Sequence, residues 1–237
     1  GSLQGARPKA LVYRDPVNLE FSTQDSDQHE AWLIKFPAQQ EHPEVCAIEA
    51  VYAECLRLCA IETPDTHFFN LPNGLTVFAS KRFDRQNGMR IPMQSLAAYT
   101  GADYKVPGSL DYRNFLRATL MCTQDVRERL HAFKRAVFNV LFNNRDDHTK
   151  NFSFLMEKNG QWKLAPAYDV TFCEGPGGYH QMDIMGEALN ISQNDIHKLG
   201  TSEANLTTLE VDEIILTMRE IALQFSQIAQ RLYPHQI

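Results

Sequence analysis

The stretch of sequence that decides the fold runs from Asn143 to Asn151 and reads NNRDDHTKN. Asp146 and Asn151 stand five positions apart within it. Phosphoryl transfer requires a carboxylate that deprotonates a hydroxyl, with an uncharged oxygen ligand for magnesium close by. The spacing alone is weak, because about one chain in two of this length contains it by chance. Taken by itself, it favours a polar turn between a helix and a strand.

A second carboxylate lies downstream, in the segment LAPAYDV at positions 164–170. Between the two motifs, Phe152–Met156 and Trp162–Leu164 predict a small hairpin. This hairpin would bring Asp169 towards Asn151, as in protein kinases, where a metal-binding carboxylate follows the catalytic loop. The alternative is an aspartate that ends an ordinary loop.

Upstream, the apolar run Trp32–Lys35 ends on a lysine, as does the V-A-I-K strand that contacts ATP phosphates in protein kinases. In the next predicted helix, Glu49 lies on the apolar face formed by Val45, Ile48, Tyr52 and Leu56. A carboxylate that faces a core is costly unless a cation pairs with it, and Lys35 is the available cation. The alternatives are a solvated lysine at a strand end and a glutamate that reaches water at the edge of the face.

The N-terminal segment SLQGARPK, from Ser2 to Lys9, precedes the first predicted strand. Gly5 would let the backbone approach phosphate groups closely, although one glycine is far from a G-x-G-x-x-G loop. Each of these signals is modest. Their order, however, is that of a protein kinase: loop, strand lysine, helix glutamate, hinge, catalytic-loop pair and second aspartate. The sequence therefore predicts a kinase.

The apolar pattern predicts an α+β protein with two lobes. We assign a small β-rich N-lobe to residues 1–95 and a mainly helical C-lobe to residues 96–237, with the change between Met93 and Tyr112. The predicted strands and hairpin turns are Ala10–Tyr13, Ala31–Phe36, Leu75–Ala79, Asn87-Gly88 returning as Met89–Met93, and the turn Asn159-Gly160. The predicted helices are Pro43–Ala60, Tyr112–Cys122, Val126–Phe142 and about Leu209–Leu232, the last with a Thr207/Glu210 capping box.

Composition narrows the class of protein further. The 237 residues are 43% hydrophobic, enough for a core, and the formal charge of −6 disfavours direct nucleic-acid binding. No apolar run is long enough to span a membrane. The number of cysteines is five, and no C-x-x-C pair is present. Cys55 and Cys59 fit small buried hydrophobes better than a disulfide or zinc site, so we expect a reducing cytoplasm.

The residues resemble the HipA-like serine/threonine toxin kinases. The block Asp146–Ser153 (DDHTKNFS) and the sequence APAYD at 165–169 are highly specific to that family. Together the matching segments extend over nearly the whole chain: Ser2–Lys9, Trp32–Pro37, Lys81–Arg85, Asn144–Ser153 and Leu164–Asp169.

The resemblance implies a protein kinase-like fold with a helical C-terminal lobe. It also implies a role for each matching position. Asp146 would be the catalytic base, and Asn151 and Asp169 would hold Mg²⁺. Ser2 would autophosphorylate, which would eject its loop and silence the enzyme. The ion pair of Glu49 with Lys35 is expected from the apolar face of the helix, as described above, and not from the resemblance. The residues expected to bind ATP are Gln4, Gly5, Ala6, Arg7, Lys9, Lys35, the hinge residues Lys81, Arg82 and Phe83, and His148, Lys150, Asn151, Tyr168 and Asp169.

The resemblance also implies substrates and partners. The expected substrate is a cytosolic protein, with an aminoacyl-tRNA synthetase as the leading candidate, and the expected partner is a helix-turn-helix antitoxin. Two departures from the family stand out. The chain begins at the Ser2 loop, like a trimmed protein or a short HipT-type toxin whose N-terminal subdomain is a separate small protein. Lys81 also replaces an acidic hinge residue of many relatives.

Two other functions remain open from the sequence. A small-molecule or lipid kinase would share the D-x-x-x-x-N loop, although the chain lacks the basic run expected of a protein that acts on lipids. A non-catalytic pseudokinase scaffold is the other, and the presence of Lys35, Asp146, Asn151 and Asp169 argues against it.

Overall fold

The computed structural model describes residues 7–25, 28–39, 41–72 and 74–234. The predictions made for Ser2, Gln4, Gly5 and Ala6 therefore lie outside the described residues. In the described part of the chain, no helix is both long and apolar enough to cross a membrane.

A five-stranded antiparallel sheet forms most of the first third of the chain. Its spatial order is β2-β1-β3-β5-β4. The strands are β1 (Lys9–Arg14), β2 (Phe21–Ser22), β3 (Glu30–Lys35), β4 (Thr66–Asn70) and β5 (Thr76–Lys81). The three strands predicted here are confirmed as β1, β3 and β5. The edge strand β4 was not predicted, because its sequence THFFN is short and has no alternation of apolar and polar residues.

Helix α1 (Val45–Leu58) joins this sheet to the rest of the molecule. On one side Cys46 and Ala50 pack against Phe78 of β5. On the other, Tyr52 contacts the ring of Phe138, with the ring centroids 6.3 Å apart. Cys55 and Cys59 are buried, as predicted, and burial raises the pKa of each thiol to about 12.

Two smaller sheets follow. The Asn87-Gly88 hairpin is confirmed: β6 (Arg85–Gln86) pairs with β7 (Met89–Arg90), and both turn residues have positive φ. The hairpin at Asn159-Gly160 is also confirmed, as β9 (Ser153–Met156) and β10 (Trp162–Leu164). The predicted strand Met89–Met93 is wrong in its extent, because β7 ends at Arg90. Pro92 has no N–H that could continue the hydrogen bonding between the strands. Beyond it, β8 (Met93–Ser95) pairs with β9 instead.

The remainder is mainly helical around one large core. The helices are α2 (Leu96–Thr100), α3 (Tyr112–Thr123), α4 (Val126–Leu141), α5 (Gln193–Ser202), α6 (Thr208–Leu223) and α7 (Phe225–Leu232). Helix α5 was not predicted, since QNDIHKLGTS is polar and contains Gly200, which weakens a helix. The glycine is required by packing: a Cβ there would lie 2.5 Å from Cγ2 of Val211 and 2.9 Å from Cζ of Phe133.

The single final helix predicted at about Leu209–Leu232 is wrong, because the chain leaves the helical conformation at Gln224, where φ is −91° and ψ is 4°. This turn allows Phe225 to pack against Tyr52, with the ring centroids 5.4 Å apart. Tertiary packing thus overrides the local helical pattern. The capping box of Thr207 and Glu210 is present at the start of α6. The predicted α+β class, with a small β-rich lobe and a mainly helical lobe, is confirmed.

Candidate active site

A buried lysine lies at the centre of the candidate site. Lys35 is the last residue of β3, and only 6% of its surface is exposed. Its Nζ forms an ion pair with Glu49 of α1 and donates a hydrogen bond of 2.5 Å to Oδ1 of Asp169. The Glu49 side chain is 3% exposed and that of Asp169 is 34% exposed. Residues from three distant parts of the sequence thus meet at one cation.

The charges at this centre stabilise one another. Burial acts to lower the pKa of Lys35, but the attraction of Glu49 and Asp169 outweighs it, and the net shift is upward. For Asp169, burial acts to raise the pKa. The charges of Lys35 and Lys9 and the Lys35 hydrogen bond hold it below the usual aspartate value. Lys35 and Asp169 therefore both carry their charge at neutral pH.

Arg7 supplies a second cation to Glu49. Its Nη1 lies 3.0 Å from Glu49 Oε2, and its Nε lies 2.7 Å from Glu41 Oε1. Lys9 begins β1 directly opposite Lys35 in the sheet register. Of the loop residues predicted to cover phosphates, Arg7 and Lys9 are thus both placed beside the buried lysine. A carboxylate as buried as Glu49 is stable because cations contact both of its oxygens.

A cavity of about 240 Å³ opens over this centre. Its lining includes eight residues predicted from the sequence: Lys9, Lys35, Glu49, Lys81, Arg82, Phe83, Tyr168 and Asp169. Phe83 and Tyr168 form an aromatic pair with ring centroids 5.5 Å apart. The cavity therefore has a charged end at Lys35 and an apolar end, a combination common in ligand sites.

The charged side chains of the predicted hinge turn to protein partners. Lys81 pairs with Glu30 of the neighbouring strand at 2.5 Å. Arg82 makes a two-pronged contact with Asp84, with Nε–Oδ1 at 2.8 Å and Nη2–Oδ2 at 2.6 Å. Hydrogen bonding to Asp84 raises the pKa of Arg82 further. These contacts fix the hinge side of the cavity.

Asp169 is held in an unusual backbone conformation. Its φ is +53°, in the left-handed region that few non-glycine residues adopt. The segment before it is secured by hydrogen bonds, including one of 2.7 Å from the Ala167 N–H to the Glu62 carbonyl. The Tyr168 hydroxyl donates to the Lys150 carbonyl at 2.7 Å and lies 2.6 Å from Ser153 Oγ. Through Tyr168, the residue before it, Asp169 is therefore linked to the 146–151 loop.

Two neighbouring aspartates of that loop face opposite environments. The Asp146 side chain is 55% exposed, whereas that of Asp147 is completely buried. The Asn151 side chain donates a hydrogen bond of 2.7 Å to the Asp146 carbonyl, which closes the loop. His148 Nε2 lies 3.6 Å from Asp146 Oδ1. Of this aspartate pair, Asp146 is the carboxylate that an incoming molecule can reach.

The surroundings of Asp146 favour proton uptake. Loss of solvent raises the pKa of its carboxyl, the charge of His148 opposes that shift, and the negative charge of Asp169 adds to it. The net shift is upward. Asp146 and Asp169 thus lie near enough for one charge to affect the other. A raised carboxyl pKa suits a group that accepts a proton during a reaction.

Sequence reasoning missed the anchor beneath this loop. Asp147 accepts hydrogen bonds from the Tyr112 hydroxyl at 2.6 Å and the Gln181 N–H at 2.7 Å, and His180 Nδ1 lies 2.8 Å from it. The Asn139 side chain donates to Tyr112 at 2.9 Å. We call Asp147, Tyr112, Asn139, His180 and Gln181 the Asp147 anchor. In the sequence, the one sign of this anchor was that Asp146 is followed directly by a second aspartate, Asp147.

The donor set at the loop fits Mg²⁺, which prefers oxygen ligands. Asp169 offers a second carboxylate oxygen beyond the one that contacts Lys35. Asn151 uses its amide nitrogen to hold Asp146, so its side-chain oxygen is the atom that can bind a cation. Within the described part of the chain, no group of three or more histidine, cysteine, aspartate or glutamate side chains could hold a metal ion. The fit therefore depends on Asn151 and Asp169 together with an incoming ligand.

Comparison with known proteins identifies the family. The model of the HipA-like C-terminal domain matches residues 1–228. The chain belongs to the HipA-like C-terminal domain family. A Haemophilus influenzae protein whose name describes it as an inferred kinase is 25% identical over 191 residues. That match covers 71% of this chain and 51% of the relative, so the chain spans about half the length of the relative.

Two solved structures share the fold. One is HipA of Shewanella oneidensis, from a complex of HipA, HipB and operator DNA of a toxin–antitoxin system. The match covers 100% of this chain and 59% of the HipA chain, with a TM-score of 0.77 and 16% sequence identity. The Helicobacter pylori proinflammatory kinase CtkA matches 86% of this chain and 90% of its own, with a TM-score of 0.51 and 16% identity. The HipA-like domain described here thus has a protein kinase-like fold, as the sequence predicted.

Proposed function

We propose that this HipA-like domain transfers the γ-phosphate of ATP to a serine or threonine hydroxyl of a cytosolic protein. The observation that carries the proposal is the Lys35 centre, where one buried cation contacts both Glu49 and Asp169 at the charged end of a cavity. Protein kinases use a strand lysine, a helix glutamate and a metal-binding aspartate in this way. Family membership supports the same reading.

In the proposed reaction each group has a distinct task. Lys35 and Lys9 contact phosphate oxygens, and the Phe83–Tyr168 pair borders the adenine. Asp146 accepts the proton of the attacking hydroxyl, a task that its raised pKa suits. Asn151 and Asp169 would hold Mg²⁺, which neutralises the charge that develops on the transferred phosphate.

The finer parts of the proposal rest on the family resemblance. They are an aminoacyl-tRNA synthetase as substrate, autophosphorylation at Ser2 and control by a helix-turn-helix antitoxin. A separate small protein in place of an N-terminal subdomain and a cytoplasmic location complete them. The HipB antitoxin in the Shewanella complex is consistent with a partner of this kind. The domain itself would not bind nucleic acid, in keeping with its charge of −6.

The test is phosphate transfer from radiolabelled ATP in a lysate of the source organism. Wild type should label a protein band, and Asp146→Ala and Asp169→Asn should each lower labelling by about 10²-fold or more. Equal labelling with all three proteins would refute the proposal. Labelling of lipid or small molecules alone would identify a kinase with another substrate class. Absence of ATP–Mg²⁺ binding by calorimetry would identify a scaffold.

A further inference from the structure

We propose that Tyr104 is a positioning residue that holds the ammonium group of Lys150 beside the catalytic loop. Tyr104 lies in the loop of residues 101–111, between α2 and α3. The effect on reaction rate rests on the proposed function, whereas the contact itself does not.

The ring of Tyr104 lies against two residues of the 146–151 loop. Lys150 Nζ is 3.6 Å from the ring centroid, and the ring of His148 is 5.8 Å away at an angle of 65°. The face of an aromatic ring attracts a cation within about 6 Å. Tyr104 thus contacts the side chains on either side of Thr149, in the segment that also carries Asp146 and Asn151.

A contact at its ammonium group restrains the Lys150 side chain. Its main chain is fixed by the hydrogen bond from Tyr168 to its carbonyl. Its side chain is a four-carbon stem with several rotatable bonds, and a contact at the end of that stem reduces the number of positions that the ammonium group samples. An ammonium that contacts phosphate must be near one position before the ligand arrives, because pre-organisation lowers the cost of binding and reaction. The ring face of Tyr104 supplies that restraint.

Tyr104 is itself held by a well-connected loop. The Asp103 carbonyl accepts a hydrogen bond of 2.8 Å from the Ser109 hydroxyl. The Gly108 N–H donates at 2.8 Å to the carbonyl of Gln181, whose own N–H contacts Asp147. The loop that presents Tyr104 is therefore tied to the Asp147 anchor. It places the ring face against the Lys150 ammonium group.

The kinetic test separates the ring from the hydroxyl. Tyr104→Phe keeps the ring face and should retain the wild-type kcat. Tyr104→Leu removes it and should lower kcat roughly five- to tenfold, as expected for one cation–π contact. ATP affinity should change less than kcat. In a Lys150→Met background, Tyr104→Leu should cause no further loss, because the two residues act through one contact.

A second readout does not depend on activity. Lys150 acylation by an amine-reactive reagent, measured by mass spectrometry, should be several-fold faster in Tyr104→Leu, because the ring, whose centroid lies 3.6 Å from Nζ, no longer covers the amino group. Tyr104→Phe should match wild type. Lys158, exposed in the β9–β10 turn, serves as the internal reference. Thermal melts check folding, and Tyr104→Met replaces the leucine variant if that variant is unstable.

The outcomes are distinguishable. Equal Lys150 labelling in wild type, Tyr104→Phe and Tyr104→Leu would overturn the proposal. So would a Tyr104→Leu loss of kcat that persists undiminished in the Lys150→Met background. If labelling responds to Tyr104 but wild type transfers no phosphate to any acceptor, the positioning contact stands and the proposed kinase function fails.

Discussion

Two buried acidic centres support the candidate site, and they are neutralised in different ways. At the Lys35 centre, Glu49 and Asp169 share a formal cation, and Arg7 adds a second. At the Asp147 anchor, a fully buried carboxylate is surrounded by a hydroxyl, an amide N–H and an imidazole. The first centre borders a cavity and remains partly open at Asp169. The second is closed and holds the loop. The comparison separates residues that meet a ligand from residues that support them.

The largest effect is expected at the Lys35 centre. Among the described residues, Lys35→Met leaves Arg7 as the cation that contacts Glu49, and it removes the main cation from Asp169. Loss of one partner from a buried ion pair should lower the free energy of unfolding by roughly 3–5 kcal/mol, and phosphate transfer should fall with it. Urea titration measures the first effect. The control is Lys81→Met. The side chains of Lys81 and Glu30 are 35% and 29% exposed, so their ion pair should contribute less than about 1 kcal/mol to the free energy of unfolding. Equal destabilisation by both variants would show that the Lys35 pair is not buried in solution.

Next in size is the contrast between the two neighbouring aspartates. Asp147→Asn should lower the free energy of unfolding by roughly 2–3 kcal/mol. The neutral amide is a weaker acceptor than the carboxylate for the Tyr112 hydroxyl and the Gln181 N–H, and it is a weaker partner for His180. Asp146→Asn should change stability by less than about 0.5 kcal/mol. Its loss of phosphate transfer should nevertheless exceed about 10²-fold. Thermal melts and transfer assays on both proteins are sufficient. A stable Asp147→Asn protein with full loop order would contradict the role of the anchor.

A smaller effect is expected from Tyr112→Phe, which removes one donor from Asp147 and one acceptor from Asn139. The expected loss of stability is about 1.5–2 kcal/mol. A double-mutant cycle with Asp147→Asn should show strong coupling, since the two side chains share a hydrogen bond of 2.6 Å. Additive losses would indicate that the residues act independently.

The smallest effect concerns pH. The charge of His148 lowers the pKa of Asp146, against burial and Asp169, which raise it. A base must be deprotonated to act, so transfer is lost as the pH falls through the pKa of Asp146. His148→Ala removes the opposing charge, and the acidic limb of kcat/KM against pH should therefore move to higher pH. Movement of the acidic limb to lower pH would contradict the prediction that His148 lowers the pKa of Asp146.

The Lys35 centre could be predicted from the sequence, and the Asp147 anchor could not. Lys35, Glu49 and Asp169 carry charge, and each stands in a motif or on an apolar face where an unpaired charge would be costly. His180 lies 33 positions from Asp147, with no spacing rule to connect them. Neutral donors such as Tyr112 look like ordinary core residues in a sequence. Closed hydrogen-bond networks therefore leave little trace in a single chain.

The fold shows the same limit. Strands and helices with clear apolar periodicity, such as β3 and α4, were predicted. Helix α5 was missed because long-range packing, and not its local sequence, stabilises it. Gly200 allows the helix to approach Phe133 and Val211 closely. The break at Gln224 was missed because Phe225 packs against Tyr52, far away in the sequence. In each case a long-range contact outweighs local preference.

The left-handed backbone at Asp169 determines how that residue should be replaced. Asparagine tolerates positive φ better than most side chains, whereas alanine would be strained there. An asparagine variant therefore removes only the negative charge and leaves the chain path intact. An alanine variant would confound lost chemistry with a shifted main chain, and its inactivity would prove less.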